Sequence, residues 1–132
     1  SKILLGYKDD GGDYWVDASY LNTQLKKLES KNIMVYIGAC FSGGFIDACS
    51  KSGRFVITAS DADHPTTARG KVPYSYPTFD YYFYYWLGKD KSDVEAFNRA
   101  RADTLFYNQN NCPIGQNPLM NDQCAYTWFY WW

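Results

Sequence analysis

Apolar positions along the chain fall into a few runs whose spacing separates strands from helices. Ile3 to Tyr7 is a short apolar run, read as the end of a strand, and Asp9–Asp13 is an acidic, Gly-rich turn with sites suited to positive φ. Asp17 is a helix N-cap candidate before Ala18–Glu29, where Leu21, Leu25 and Leu28 recur at helical spacing and Lys26 and Lys27 face outward. Ile33–Ala39 is continuously apolar, as expected of a central parallel strand covered on both faces. Cys40–Gly44 reads as a tight turn, Phe45–Ser50 as the start of a helix, and Arg54–Ala59 as a second buried strand. Together these predict a right-handed βαβ crossover.

Beyond it, Ser60–Tyr76 is rich in Asp, Pro, Thr and Gly and reads as loop. Pro77 opens a helix through Leu87, with Phe79, Tyr82, Phe83 and Trp86 on one core-facing stripe. Gly88 ends it, and Ser92-Asp93-Val94-Glu95 resembles a capping box ahead of a helix to about Phe106. Tyr107–Gln123 reads as polar loop, and residues 107–132 as an aromatic-rich extension of a single domain spanning 1–132. Six aromatics crowd the seven residues Tyr126–Trp132; such a tail in water invites aggregation, so it is expected to pack on its own domain or on a partner.

A formal net charge of −1 gives no electrostatic footprint for nucleic acid or an anionic membrane. One histidine, His64, and no Cys-x-x-Cys spacing leave little for a metal site, and no cofactor is indicated. No uncharged stretch approaches the roughly 20 residues of a transmembrane helix. Of the four cysteines, Cys112 and Cys124 lie in polar, irregular sequence and are expected to form a disulfide worth about 2–3 kcal/mol. That pairing implies an oxidising compartment, extracellular or cell envelope. Cys49 reads as a small buried apolar residue.

Cys40 is the candidate for chemistry. It follows the central strand at its carboxyl end, where active sites of open α/β sheets collect. Gly43 and Gly44 allow close approach of backbone to a bound carbonyl, and amides near a helix start can face developing negative charge. A thiol there is either an activated nucleophile or a structural cysteine in a tight turn.

Val35-Tyr36-Ile37-Gly38-Ala39-Cys40-Phe41-Ser42-Gly43-Gly44 resembles the nucleophile segment of legumain-type cysteine peptidases and their caspase-like relatives, in which an apolar strand ends in Ala-Cys-x-Ser-Gly. Arg54–Asp63 is similar to the family's next strand and its Thr-Ala loop. Phe79–Leu87, Glu95-Ala96-Phe97-Asn98, and Gln116-Asn117-Pro118 with Asp122 are similar to the C-terminal stretch of prokaryotic members. The resemblance implies a caspase-like three-layer α/β fold: a mostly parallel sheet with helices on both faces, its N-terminal strands lying outside this chain. It also implies a cysteine endopeptidase acting on peptide or protein substrates. Cys40 would attack the scissile carbonyl, with its own N–H, aided by the turn at Gly43, forming the oxyanion hole.

The family's catalytic His-Gly loop falls upstream of the segment matching Ser1–Tyr7, so a preceding segment or partner chain is expected to complete sheet and site. His64 then stands as a base, a pocket-rim residue, or a solvated loop histidine. Ser60, Asp61, Asp63, His64 and Thr66 would line the substrate pocket. Asp61 or Asp63 would either select a basic residue before the scissile bond or simply form the turn. Legumain carries a glutamate two residues before its nucleophile, where Gly38 stands here, so asparagine specificity does not carry over. The competing reading is an inert module of the same fold, using its aromatic surface for protein or carbohydrate contact. An α/β esterase is excluded by the missing Gly-x-Ser-x-Gly elbow: Cys40, not Gly, stands two residues before Ser42.

Overall fold

The computed structural model describes residues 2–7, 12–71 and 74–124. Most of the acidic turn and the whole Tyr126–Trp132 tail lie outside the described residues. The first apolar run forms strand β1 (Lys2–Tyr7), which pairs antiparallel with an unexpected strand β2 (Asp13–Asp17), Lys2 opposite Asp17 and Ile3 opposite Val16. Asp17 caps helix α1 (Ala18–Leu25) as read: its Oδ1 accepts from the Tyr20 N–H at 2.8 Å and from the Ser19 hydroxyl at 2.6 Å. These bonds hold the Asp17 carboxyl below its ordinary pKa. The helix stops four residues before Glu29, and Leu28, third in the apolar series, is half exposed.

The βαβ unit is present. Strand β3 (Ile33–Ile37) runs parallel to β4 (Arg54–Thr58), with Val35 opposite Val56. Between them lie one 3₁₀ turn, Ser42–Phe45, and one turn of helix α2, Ile46–Cys49. Strand β4 is buried along its whole length and forms the centre of the sheet. Its alternation sorts the core: Phe55 and Ile57 face one way, Val56 the other. The Phe55 face packs on Phe79 and Phe83 of helix α3 (Thr78–Leu87) and on Ala96, Phe97 and Ala100 of helix α4 (Asp93–Asn111). The Val56 face, with Val35 and Ile37, packs on Ala18 of α1 and on Phe45 and Cys49. Helices therefore cover both faces, and the chain is α/β. Cys49 is fully buried, as read, and burial raises its thiol pKa.

Ser92 caps α4 by accepting from the Glu95 N–H at 3.3 Å. Short strands β5 (Ala68–Arg69) and β6 (Tyr76–Pro77) pair within the long loop. Two corrections follow from Tyr107–Gln123. Instead of a polar loop, it completes α4 to Asn111 and supplies β7 (Leu119–Asp122), antiparallel to β4 with Met120 opposite Ile57. The sheet is thus mixed, in the order β3, β4, β7, and the outer side of β3 has no partner strand among the described residues.

The expected Cys112–Cys124 disulfide is also absent; all four cysteines are free thiols. Cys112 caps the end of α4, before Gln116 reaches the Ala59 carbonyl at the carboxyl end of β4. Strand β7 then carries the chain along β4 to its other end, where the Gly53 N–H donates to the Gln123 carbonyl. Cys124 therefore lies at the amino end of β4, with strand β7 between it and Cys112. Cys124 packs on the Phe55 core instead, and burial, helped by Asp122, raises its pKa.

Candidate active site

Cys40 lies just past β3, exposed, at the carboxyl end of the parallel pair. The next residue, Phe41, takes φ 56° in the left-handed region and is half exposed. A side chain rarely adopts that conformation unless surroundings impose it. Here the Phe41 N–H donates to the His64 carbonyl at 3.0 Å, tying the turn to the loop after β4. Ser42, fully buried, adds a second tie, its Oγ accepting from the Ser60 N–H at 3.3 Å. Gly43 adds a third. A Cβ there would lie 2.5 Å from the Asp61 Cα and 2.6 Å from the Ala62 N, so only glycine lets the two backbones meet. The close approach that Gly43 permits is therefore taken up by the chain's own loop.

That loop reaches Cys40 through Thr66. Its N–H donates to Cys40 Sγ at 3.2 Å, and its Oγ1 lies 3.2 Å from the same sulfur. Asp61 organises the middle of the loop. Its carboxylate accepts from the N–H groups of Asp63 and His64, at 3.0 and 2.9 Å, and from Asn117 Nδ2 at 3.3 Å. The His64 ring Nδ1 sits 2.8 Å away. Burial opposes ionisation of Asp61, but the bonds from His64, Asp63 and Asn117 outweigh it and lower its pKa. The other side of the His64 ring lies over Gly115, where a Cβ would come within 2.7 Å of its Cδ2. His64 is thus anchored between Asp61 and Gly115, and the hydrogen bonds to the Cys40 sulfur come from Thr66. Asp63 is exposed and contributes its N–H to the Asp61 turn.

The segment Gln116-Asn117-Pro118 braces this loop from outside. Gln116, fully buried, accepts at Oε1 from Thr67 N–H at 2.9 Å and donates from Nε2 to the Ala59 carbonyl at 2.7 Å. Arg101 of α4 holds the brace, donating to Asn117 Oδ1 at 2.8 Å and to the Pro118 carbonyl at 3.1 Å.

Asp80 of α3 fills the space beside Gly38, two residues before Cys40. Its Oδ2 lies 3.2 Å from where a Cβ on residue 38 would be, and its Oδ1 accepts from the Tyr36 hydroxyl. Burial raises the Asp80 pKa despite that bond, and burial with the nearby Asp80 charge raises that of Tyr36. Neither Asp80 nor Arg101 stood out in sequence. Asp80 had a signal: it is the one charged residue in the aromatic helix Thr78–Leu87.

The geometry is an exposed thiol at the carboxyl end of parallel strands on an α/β sheet, with the Thr66 N–H and hydroxyl against its sulfur and a glycine-dependent turn behind it. The chain belongs to the Peptidase C13 family, the legumain family of cysteine peptidases, whose family model matches residues 8–120. Comparison with curated proteins and with solved structures gave no match.

Proposed function

We propose that this chain supplies the nucleophile of a secreted cysteine endopeptidase of caspase-like, three-layer architecture. Cys40 attacks the scissile carbonyl to give a thioester acyl-enzyme, expelling the amine, and water then releases the acyl product. The Cys40 N–H and the turn before Gly43 face the oxyanion. The observation that carries this reading is the exposed Cys40 sulfur held by Thr66 at the end of β3. The base is a histidine on a preceding segment, which adds a strand to the open side of β3 beside the apolar groove of Met34, Tyr36, Phe83, Tyr84 and Leu87. Substrate choice rests on acidic groups flanking Cys40. Asp61 is consumed by its own loop, so exposed Asp63 and the Asp80 carboxylate beside Gly38 are the selectors of a basic side chain.

Alkylation of the folded chain with iodoacetamide near neutral pH, read by peptide mapping, tests the nucleophile. Cys40 is expected to react selectively over Cys49, Cys112 and Cys124, and Cys40→Ala to abolish the fast phase. Slow, unselective labelling would point to the second reading, an inert binding module. The exposed tyrosines Tyr74, Tyr76, Tyr81, Tyr84 and Tyr85 favour that alternative.

A further inference from the structure

We infer that Thr66 holds the Cys40 sulfur in its nucleophilic form, and that buried Gln116 is the positioning residue that keeps Thr66 there. The inference rests on the peptidase reading above and names how the site is prepared. Two groups of one residue meet the sulfur: the Thr66 N–H donates to it at 3.2 Å, and the Thr66 Oγ1, also at 3.2 Å, can donate once the thiol proton has left. Donors aimed at a sulfur favour its charged form over its neutral one. The alternative source, a helix N-terminus, is weak here: one 3₁₀ turn precedes a single turn of α2, too few aligned peptides for a strong dipole.

Thr66 is placed by its neighbour. The Thr67 N–H and Oγ1 lie 2.9 and 2.6 Å from Gln116 Oε1, and Asn108 Oδ1 is 2.8 Å from the same hydroxyl. At its other end, Gln116 Nε2 holds the Ala59 carbonyl at 2.7 Å. One amide thus bridges the two ends of the loop, Ala59 and Thr67, and fixes its span. The task needs one acceptor and one donor on a single buried side chain, which an amide supplies. An apolar residue of similar size would orphan the Ala59 carbonyl and the Thr67 N–H, each buried and each needing a partner. Nothing in this bracing touches Cys40 directly, so changes at Gln116 act on the thiol only through Thr66.

The test is the rate of Cys40 alkylation by iodoacetamide in the full chain, followed against pH by peptide mapping, with far-UV circular dichroism to confirm folding. Thr66→Val removes the hydroxyl at nearly constant shape. It is expected to slow alkylation about tenfold at pH 6.5, with the high-pH plateau unchanged. Thr66→Ser restores the wild-type curve. Gln116→Leu shifts the curve in the same direction without touching the sulfur; if that variant does not fold, Gln116→Asn, a shorter amide that cannot span Ala59 and Thr67 together, replaces it and shifts the curve the same way. A fast, selective Cys40 whose curve is unmoved by Thr66→Val overturns this inference alone. A wild-type Cys40 no faster than Cys112 or Cys124 overturns the peptidase reading and this inference together.

Discussion

Asp61 and Asp80 sit against the two glycines on either side of Cys40 in the chain, one against Gly43 and the other against Gly38, and their surroundings drive them in opposite directions. Asp61 sits in a loop that turns its own amides inward. Several donors meet its carboxylate, and its pKa falls although burial opposes ionisation. Asp80 sits on an aromatic helix with the Tyr36 hydroxyl against it, and burial wins. What separates them is the number of N–H groups the backbone can aim at each. The Asp61 loop supplies the amides of Asp63 and His64, whereas Asp80, although in the first turn of α3, receives the Tyr36 hydroxyl and a bond from its own backbone, too little to offset burial. The two walls of the site are thus built by different physics: a hydrogen-bonded brace on the Thr66 side and stacked rings on the Tyr36 side.

The largest expected effect falls on the ring side. Phe83 is fully buried and stacked with Tyr36 and Phe79, centroids 5.5 and 5.7 Å apart. Phe83→Ala should cost about 3–5 kcal/mol in urea unfolding. Because the brace does not pass through it, the alkylation rate of Cys40 in the folded fraction should stay within about twofold of wild type, a difference under roughly 0.4 kcal/mol. A large loss of reactivity would show that the two walls are not independent. Gly43→Ala reverses the pattern. The added methyl meets Asp61 backbone at 2.5 Å, so the loop must move, at about 1–3 kcal/mol. Stability falls less than in Phe83→Ala, but Cys40 alkylation slows, because displacing the loop withdraws Thr66. Unchanged reactivity in Gly43→Ala would break the link between loop position and thiol.

The same division decides what the sequence disclosed. Strands β3 and β4, helix α3 and the caps at Asp17 and Ser92 are local: a run of apolar residues or a side chain three positions from its amide is enough to specify them. The Cys40 turn was legible for the same reason. The brace was not, because Gln116 meets Thr67 and Ala59 across 49 and 57 residues, and nothing in a polar Gln-Asn-Pro stretch says which loop it faces. Strand β7 hid in that stretch, being four residues long with two of them polar. The disulfide expectation failed on topology: residues close in sequence are sent to opposite ends of β4 by the strand between them. Asp17 and Asp61 show both cases in one residue type, the first capping its own helix, the second needing Asn117 from the far side of the chain.

The smallest effects test the aspartates themselves through the pH dependence of stability. A carboxyl whose pKa is lowered on folding contributes stability that is present above its unfolded value, about 3.9, and is lost as the pH falls through the folded value. Asp61 is of this kind, so Asp61→Asn should lower stability at pH 7 and flatten the acid-side loss below about pH 4. Asp80 has the opposite sign. With its pKa raised on folding, its contribution is present below about 3.9 and is lost as the pH rises through the folded value. Asp80→Asn, which keeps an acceptor for the Tyr36 hydroxyl, should therefore raise the urea midpoint at pH 7 and leave it nearly unchanged at pH 3. One titrating proton limits either slope to about 1.4 kcal/mol per pH unit. Urea melts of both variants between pH 3 and 7 give the two differences from wild type. Slopes of the same sign would mean that burial, not the count of donors, governs both carboxylates, and the distinction between the walls would not hold.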